Sequence, residues 1–210
     1  DHVGKAIETP AKNIILIGET KADTLFGAQM HDVTDFPFGF EFDTWILEID
    51  TFGNLIWDNR IGGAFNDGSW SLVTGGTTGS YFTVGVCEGD SSFDITGPSR
   101  GGWDGNSYKL DALGNKIWDK RFGSSNDDFL VDIFTMDNDD ILLTGYSNGG
   151  ISGDKTEGSR GDYDYWLIKM DSLGIKIWDK TLGGSQFDGA KKAILACDGN
   201  IVVIGSSESG

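Results

Sequence analysis

Three aspartates, Asp67, Asp128 and Asp188, each stand four or five residues beyond a Gly-Gly or Gly-Ser pair. A carboxylate just ahead of a strand caps local backbone amides. Gathered on one face, such carboxylates are also candidate calcium ligands, since calcium takes roughly six to eight hard oxygens. No run matches a complete calcium loop; Asp137-Asn138-Asp139-Asp140 is acidic but belongs to a short turn expected at the opposite face. A second set lies in two segments that align without gaps, 92–101 and 152–161, and carries Asp94, Arg100, Asp154 and Arg160. A guanidinium forks onto a ligand carboxylate or onto a neighbouring aspartate (Asp94, Asp104, Asp154 or Asp164), and a bridge within one repeat unit is the expectation. A third set is aromatic: Phe36, Phe38, Phe40 and Phe42 crowd one segment, a surface suited to a protein or glycan ligand.

Catalytic chemistry is poorly supplied. His2 and His31 are the only histidines, and His31-Asp32 lacks a serine in a nucleophile-elbow pattern. Two histidines with two cysteines at non-equivalent positions, Cys87 and Cys197, argue against a zinc site, and the cysteines are read as free thiols. Carboxylate pairs for glycoside hydrolysis depend on a separation that only the fold reveals. The chain is therefore read as a non-enzyme.

These residues are positioned by a repeat. Ile56-Trp57-Asp58-Asn59-Arg60-Ile61-Gly62-Gly63 recurs as Ile117-Trp118-Asp119-Lys120-Arg121-Phe122-Gly123-Ser124 and as Ile177-Trp178-Asp179-Lys180-Thr181-Leu182-Gly183-Gly184, about sixty residues apart. Before each copy a strand runs into Asp-x-x-Gly, at Asp50, Asp111 and Asp171. This fits a hairpin turn whose aspartate bonds the turn's own amides and whose glycine takes a left-handed conformation. Each unit supplies four antiparallel strands, fourteen in all, with Gly18, Gly85, Gly145 and Gly205 inside apolar strands. Such a glycine marks a bulge or a close backbone approach, expected here from a neighbouring unit.

Four-stranded units at this spacing predict an all-β chain and a β-propeller, each sheet a blade buried on both faces. The expected divisions are a half blade over 1–20 that continues to 61, blades over 62–122 and 123–182, and a half blade over 183–210. About three and a half blades do not close a ring, so a longer polypeptide with further blades is expected. Trp57, Trp118 and Trp178 are assigned to inter-blade packing. Segments of about 20–42, 88–103 and 148–163 join the second and third strands. They share a face with the connections bearing Asp67, Asp128 and Asp188, which makes that face the expected contact surface.

The run Gly161-Asp162-Tyr163-Asp164-Tyr165-Trp166-Leu167-Ile168-Lys169-Met170-Asp171-Ser172-Leu173-Gly174, followed by the Ile177 copy, resembles the sixty-residue propeller-type repeats of secreted and surface proteins from Bacteroidetes-type bacteria. Those proteins often carry a C-terminal signal for the type IX secretion system. The resemblance covers nearly the whole chain and implies an extracellular or cell-surface location. The middle copy departs from it with Asn106 where the others have Trp45 and Trp166.

Sixteen basic against 33 acidic residues, a net charge of −17, repel a phosphate backbone and exclude nucleic acid as a natural partner. No apolar run is long enough for a membrane-spanning helix. The functional expectation is a structural or adhesive module that presents loops to a partner. The alternatives are a carbohydrate-binding propeller and an ancillary domain of a glycan-degrading enzyme.

Overall fold

The computed structural model describes residues 2–20, 42–75, 79–136 and 139–209; Phe36, Phe38 and Phe40 lie outside them. The described residues form fourteen strands and no helix. The first sheet holds β1 (His2–Glu8), β2 (Ile14–Thr20), β3 (Asp43–Ile49) and β4 (Leu55–Ile61), in that spatial order. The second holds β5 (Asp67–Gly75), β6 (Ser80–Cys87), β7 (Asp104–Leu110) and β8 (Lys116–Phe122). The third holds β9 (Asp128–Thr135), β10 (Ile141–Ser147), β11 (Asp164–Met170) and β12 (Lys176–Leu182). A final pair, β13 (Asp188–Leu195) and β14 (Ile201–Ser207), repeats the first half of the pattern. All pairings are antiparallel.

The hairpins between third and fourth strands close as their sequence requires. Asp50 Oδ1 accepts from the amides of Phe52 and Asn54, both at 2.8 Å, and Gly53 has φ +83°. Asp111 with Gly114 and Asp171 with Gly174 repeat the arrangement.

The strand glycines have a different cause from the one expected. Opposite Gly18, Gly85, Gly145 and Gly205 the first strand of the same sheet carries a bulge, with register shifts at Val3/Lys5, Ser69/Ser71, Thr144/Gly145 and Ala190/Lys192. The bulge pushes a carbonyl oxygen of that strand, from His2, Gly68, Phe129 or Gly189, into the space a Cβ would occupy. The close approach is thus made within each sheet and not by the neighbouring unit.

The cores lie between consecutive sheets. Ile15, Ile17 and Ile46 of the first sheet pack with Leu72, Tyr108 and Leu110 of the second. Phe82, Val84 and Phe122 of the second pack with Leu130, Ile133, Ile141 and Trp166 of the third. Leu142 and Leu167, on the third sheet's other face, meet Ala193, Ile201 and Val203. Burial on both faces is why the strands read as apolar runs without clean alternation. Trp57, Trp118 and Trp178 each edge one of these inter-sheet cores.

Close inter-sheet contacts run through the first strands, β1 with β5, β5 with β9 and β9 with β13. A polar chain follows the same line through residues near the bulges: Lys5 Nζ donates to Ser71 Oγ (3.1 Å) and Ser71 Oγ to Asp132 Oδ1 (2.8 Å), while the Ala193 amide donates to Asp132 Oδ2 (3.2 Å).

Candidate functional site

The segments 88–103 and 148–163, each between a second and a third strand, meet the connections between sheets at one end of the molecule, and hydrogen bonds knit them together. In the second sheet Asp94 donates its amide to Gly62 O (3.2 Å), and its carboxylate accepts from Gly62 N (3.4 Å). Ser92 Oγ accepts from Ala64 N (2.8 Å). One unit later Asp154 and Ser152 make the same contacts to Gly123 and Ser125, at 2.8 to 3.1 Å. Each segment is also tied to the fourth strand of its own sheet. Thr96 N reaches Asp119 Oδ2 at 2.8 Å and Thr156 N reaches Asp179 Oδ2 at 2.9 Å. Asp119 and Asp179 of the Ile-Trp-Asp motif are therefore loop anchors. Asp179 also holds the Trp166 indole (3.2 Å), and Asp58 holds that of Trp45 (3.1 Å).

The arginines divide. Arg100 Nε pairs with Asp154 Oδ2 at 2.7 Å, so its bridge spans two sheets, correcting the expected bridge within one unit; only its backbone amide binds Asp104 of its own sheet (3.0 Å). The cause is the clasp: Asp154 reaches back over the Gly123 connection and so sits beside the preceding loop. Arg160 donates from Nη1 to Gly183 O at 3.1 Å, and its amide binds Asp164 (2.5 Å).

Asp67, Asp128 and Asp188 are buried and cap amides four residues upstream: Gly63 N at 2.5 Å, Ser124 N at 2.5 Å and Gly184 N at 2.7 Å. One oxygen of each thus engages the backbone, and among the described residues no group of three or more His, Cys, Asp or Glu side chains could hold a metal ion. Beside each cap stands the aspartate that opens the third strand, Asp43, Asp104 or Asp164, packed so tightly on Gly62, Gly123 or Gly183 that no Cβ would fit. Every junction therefore buries two carboxylates, and every junction supplies a cation. Arg60 pairs with Asp43, and Arg121 Nε with Asp104 at 2.6 Å. In the third sheet Thr181 replaces the arginine, and the buried Lys155 Nζ donates to Thr181 Oγ1 (3.0 Å) above the Trp166 ring.

One cation for two carboxylates leaves a charge to be relieved. Burial pushes the Asp67 carboxyl up to about 7, and the neighbouring Asp43 adds to the shift. Burial also raises Asp104 and Asp128. Between the usual carboxylate range near 4 and pH 7, folded Asp67 keeps a proton that the unfolded chain has lost. Its contribution is therefore present at low pH and is lost as pH rises through about 7. Asp67→Asn should match the wild type near pH 4 and exceed it above pH 8, by on the order of 4 kcal/mol. Urea midpoints across that range check this; parallel curves for the two proteins would contradict it.

Sequence reasoning missed an aromatic arc at this end. Trp103, Phe129, Tyr146, Tyr163 and Phe187 form a continuous series with ring centroids 5.2 to 6.3 Å apart, and all are only partly buried. The signal was slight. Phe42, Trp103 and Tyr163 each precede the aspartate of a third strand, but the other members occupy non-equivalent positions and show no period. Beyond Trp103, between the first two sheets, lies a cavity of about 280 Å³ walled by Glu19, Phe42, Asn66, Asp67, Gly68, Trp70, Val86 and Trp103.

The cysteines are free, Cys87 buried and Cys197 exposed; burial drives the Cys87 thiol far up, which makes it unreactive at neutral pH. Comparison with protein-family models and with curated proteins finds no match to this chain.

Proposed function

We propose that this chain is part of a β-propeller and serves as a non-enzymatic interaction module of an extracellular or cell-surface protein, contacting its partner through the clasped loop end. The observation that carries the propeller reading is the run of contacts through the first strands. The first strand of each following sheet meets the first and second strands of the preceding one more than its third; sheets joined in this way at their inner strands, and linked there by Lys5, Ser71 and Asp132, radiate from an axis. The location rests on the resemblance of the repeat. The contact surface rests on the aromatic arc, because large, partly exposed rings held in a rigid frame are the usual anchors of interfaces.

A lectin-like reading draws on the same rings, since aromatic faces also stack on sugars. Immobilised protein probed with glycans and with acidic and basic proteins separates the two. Partner binding lost on Tyr163→Ala and retained on Phe52→Ala, at the opposite end, is the expected result. Glycan binding abolished by Phe38→Ala and Phe40→Ala would replace the protein-interaction reading with the lectin. Turnover of a glycan lost on changing one loop carboxylate would overturn the non-enzymatic assignment.

A further inference from the structure

The cavity between the first two sheets has an unusual wall. Three aromatic residues, Phe42, Trp70 and Trp103, stand with two carboxylates, Glu19 and Asp67, and no lysine, arginine or histidine lines it among the described residues. Two of its three side-chain hydrogen-bond donors are already engaged. Trp70 Nε1 donates to Glu19 Oε1 (2.5 Å), and Asn66 Nδ2 donates to Glu88 Oε2 (2.8 Å). Asn66 Oδ1 is occupied as well, by Phe42 N at 3.2 Å. Asp67 is fully buried and its Oδ1 has no hydrogen-bond partner.

At the other two junctions an aromatic ring stands in the corresponding place: Phe129 at the second, and at the third Phe187, which lies against Gly189, the equivalent of Gly68. Gly68 pairs with Val86 as Phe129 pairs with Tyr146, so the position filled by a phenyl ring at the next junction is here a glycine. The cavity is smaller than the roughly 300–1,000 Å³ of sites for drug-sized ligands, which suits one side chain rather than an extended molecule.

We propose that the cavity receives a primary ammonium group, such as a lysine side chain carries, from a basic protein partner. This rests on the loop-end contact surface proposed above and names the chemistry of the partner. A sugar presents acceptors as well as donors and would find few free donors in this wall, whereas an ammonium group is donor-only. Rings offer it their negative faces, Glu19 its carboxylate, and the alkyl stem lies against Phe42 and Trp103. The chain's net charge of −17 attracts a basic partner over longer range.

The test is titration of the full chain with n-butylammonium chloride at pH 7.5, with n-butanol and glucose as neutral probes, followed by indole fluorescence or NMR. Saturable binding of butylammonium alone is expected. It should weaken at least fivefold in Glu19→Gln, whose amide oxygen still accepts from Trp70, and be lost in Trp103→Leu. Equal binding of n-butanol, binding of glucose instead, or an unchanged Glu19→Gln affinity would overturn the assignment. Tyr163 lies away from the cavity and separates the two readings. Partner binding lost on Tyr163→Ala without any butylammonium binding would overturn the cavity assignment alone. Butylammonium binding with a partner that ignores every loop-end change would overturn the loop-end surface and leave the ammonium site standing.

Discussion

Asp104→Ala is expected to lower unfolding stability by about 3–5 kcal/mol, the range for breaking a buried ion pair from one side. The Asp104 carboxylate is fully buried and meets Arg121 Nε at 2.6 Å, and the Arg121 side chain is 1% exposed. Removing the carboxylate strands a guanidinium in the interior and also takes the acceptor from Arg100 N. The third sheet provides its own control, for Thr181 and Lys155 there do what Arg121 and Ile95 do in the second. Arg121→Thr alone should destabilise by a similar amount, and adding Ile95→Lys should recover part of the loss. Guanidinium denaturation of the two single variants and the double variant reads this coupling directly. Strict additivity would mean that the two sheets do not solve the same electrostatic problem.

Gly145→Ala should be nearly as damaging. A Cβ at Gly145 would overlap the carbonyl oxygen of Phe129 and press on the Cα of Leu130, backbone atoms that cannot swing aside as a side chain would. The variant must undo the bulge in β9, shifting the register of the strand that carries Asp128 and Asp132. A loss above about 3 kcal/mol is expected, beyond usual overpacking. Gly53→Ala, whose Cβ meets nothing but whose φ is +83°, should cost only about 1 kcal/mol. Gly150→Ala, open and unstrained, should be close to neutral. Thermal melts of the three rank them, and a mild Gly145→Ala would show that the bulge is not imposed by the glycine.

Much of the frame was legible because it is periodic. Trp57, Trp118 and Trp178, the Asp-x-x-Gly turns and the strand glycines all announce themselves by recurrence, and the all-β, four-stranded pattern follows from them. The start of β7 was less visible: Gly105 and Asn106 break the apolar run, yet the strand begins at Asp104. Asn106 is buried where tryptophan stands elsewhere, and its amide has no hydrogen-bond partner. The bulges were hidden because they lie on the strand opposite the glycine that marks them. Arg100 was misassigned because sequence proximity favours Asp94 and Asp104, while the clasp of the next loop brings Asp154 nearer the guanidinium. The aromatic arc and the cavity were illegible for a simpler reason. They arise where the repeats differ, at Gly68 and Phe129 or at Asn66 and Phe187, and a repeat pattern reveals only what the copies share.

The proposed radial arrangement of the sheets is tested most directly by two distances between spin labels. Lys12 and Asp139 occupy equivalent turns between first and second strands, and Phe52 and Leu173 occupy equivalent turns between third and fourth strands, each pair two sheets apart. With Cys197 replaced by serine and Cys87 buried, cysteines at each pair are labelled and measured by double electron–electron resonance. A propeller requires the Phe52 to Leu173 distance to be clearly longer than the Lys12 to Asp139 distance, because the sheets spread outward from their first strands. Equal distances would describe sheets stacked in parallel and would contradict the propeller.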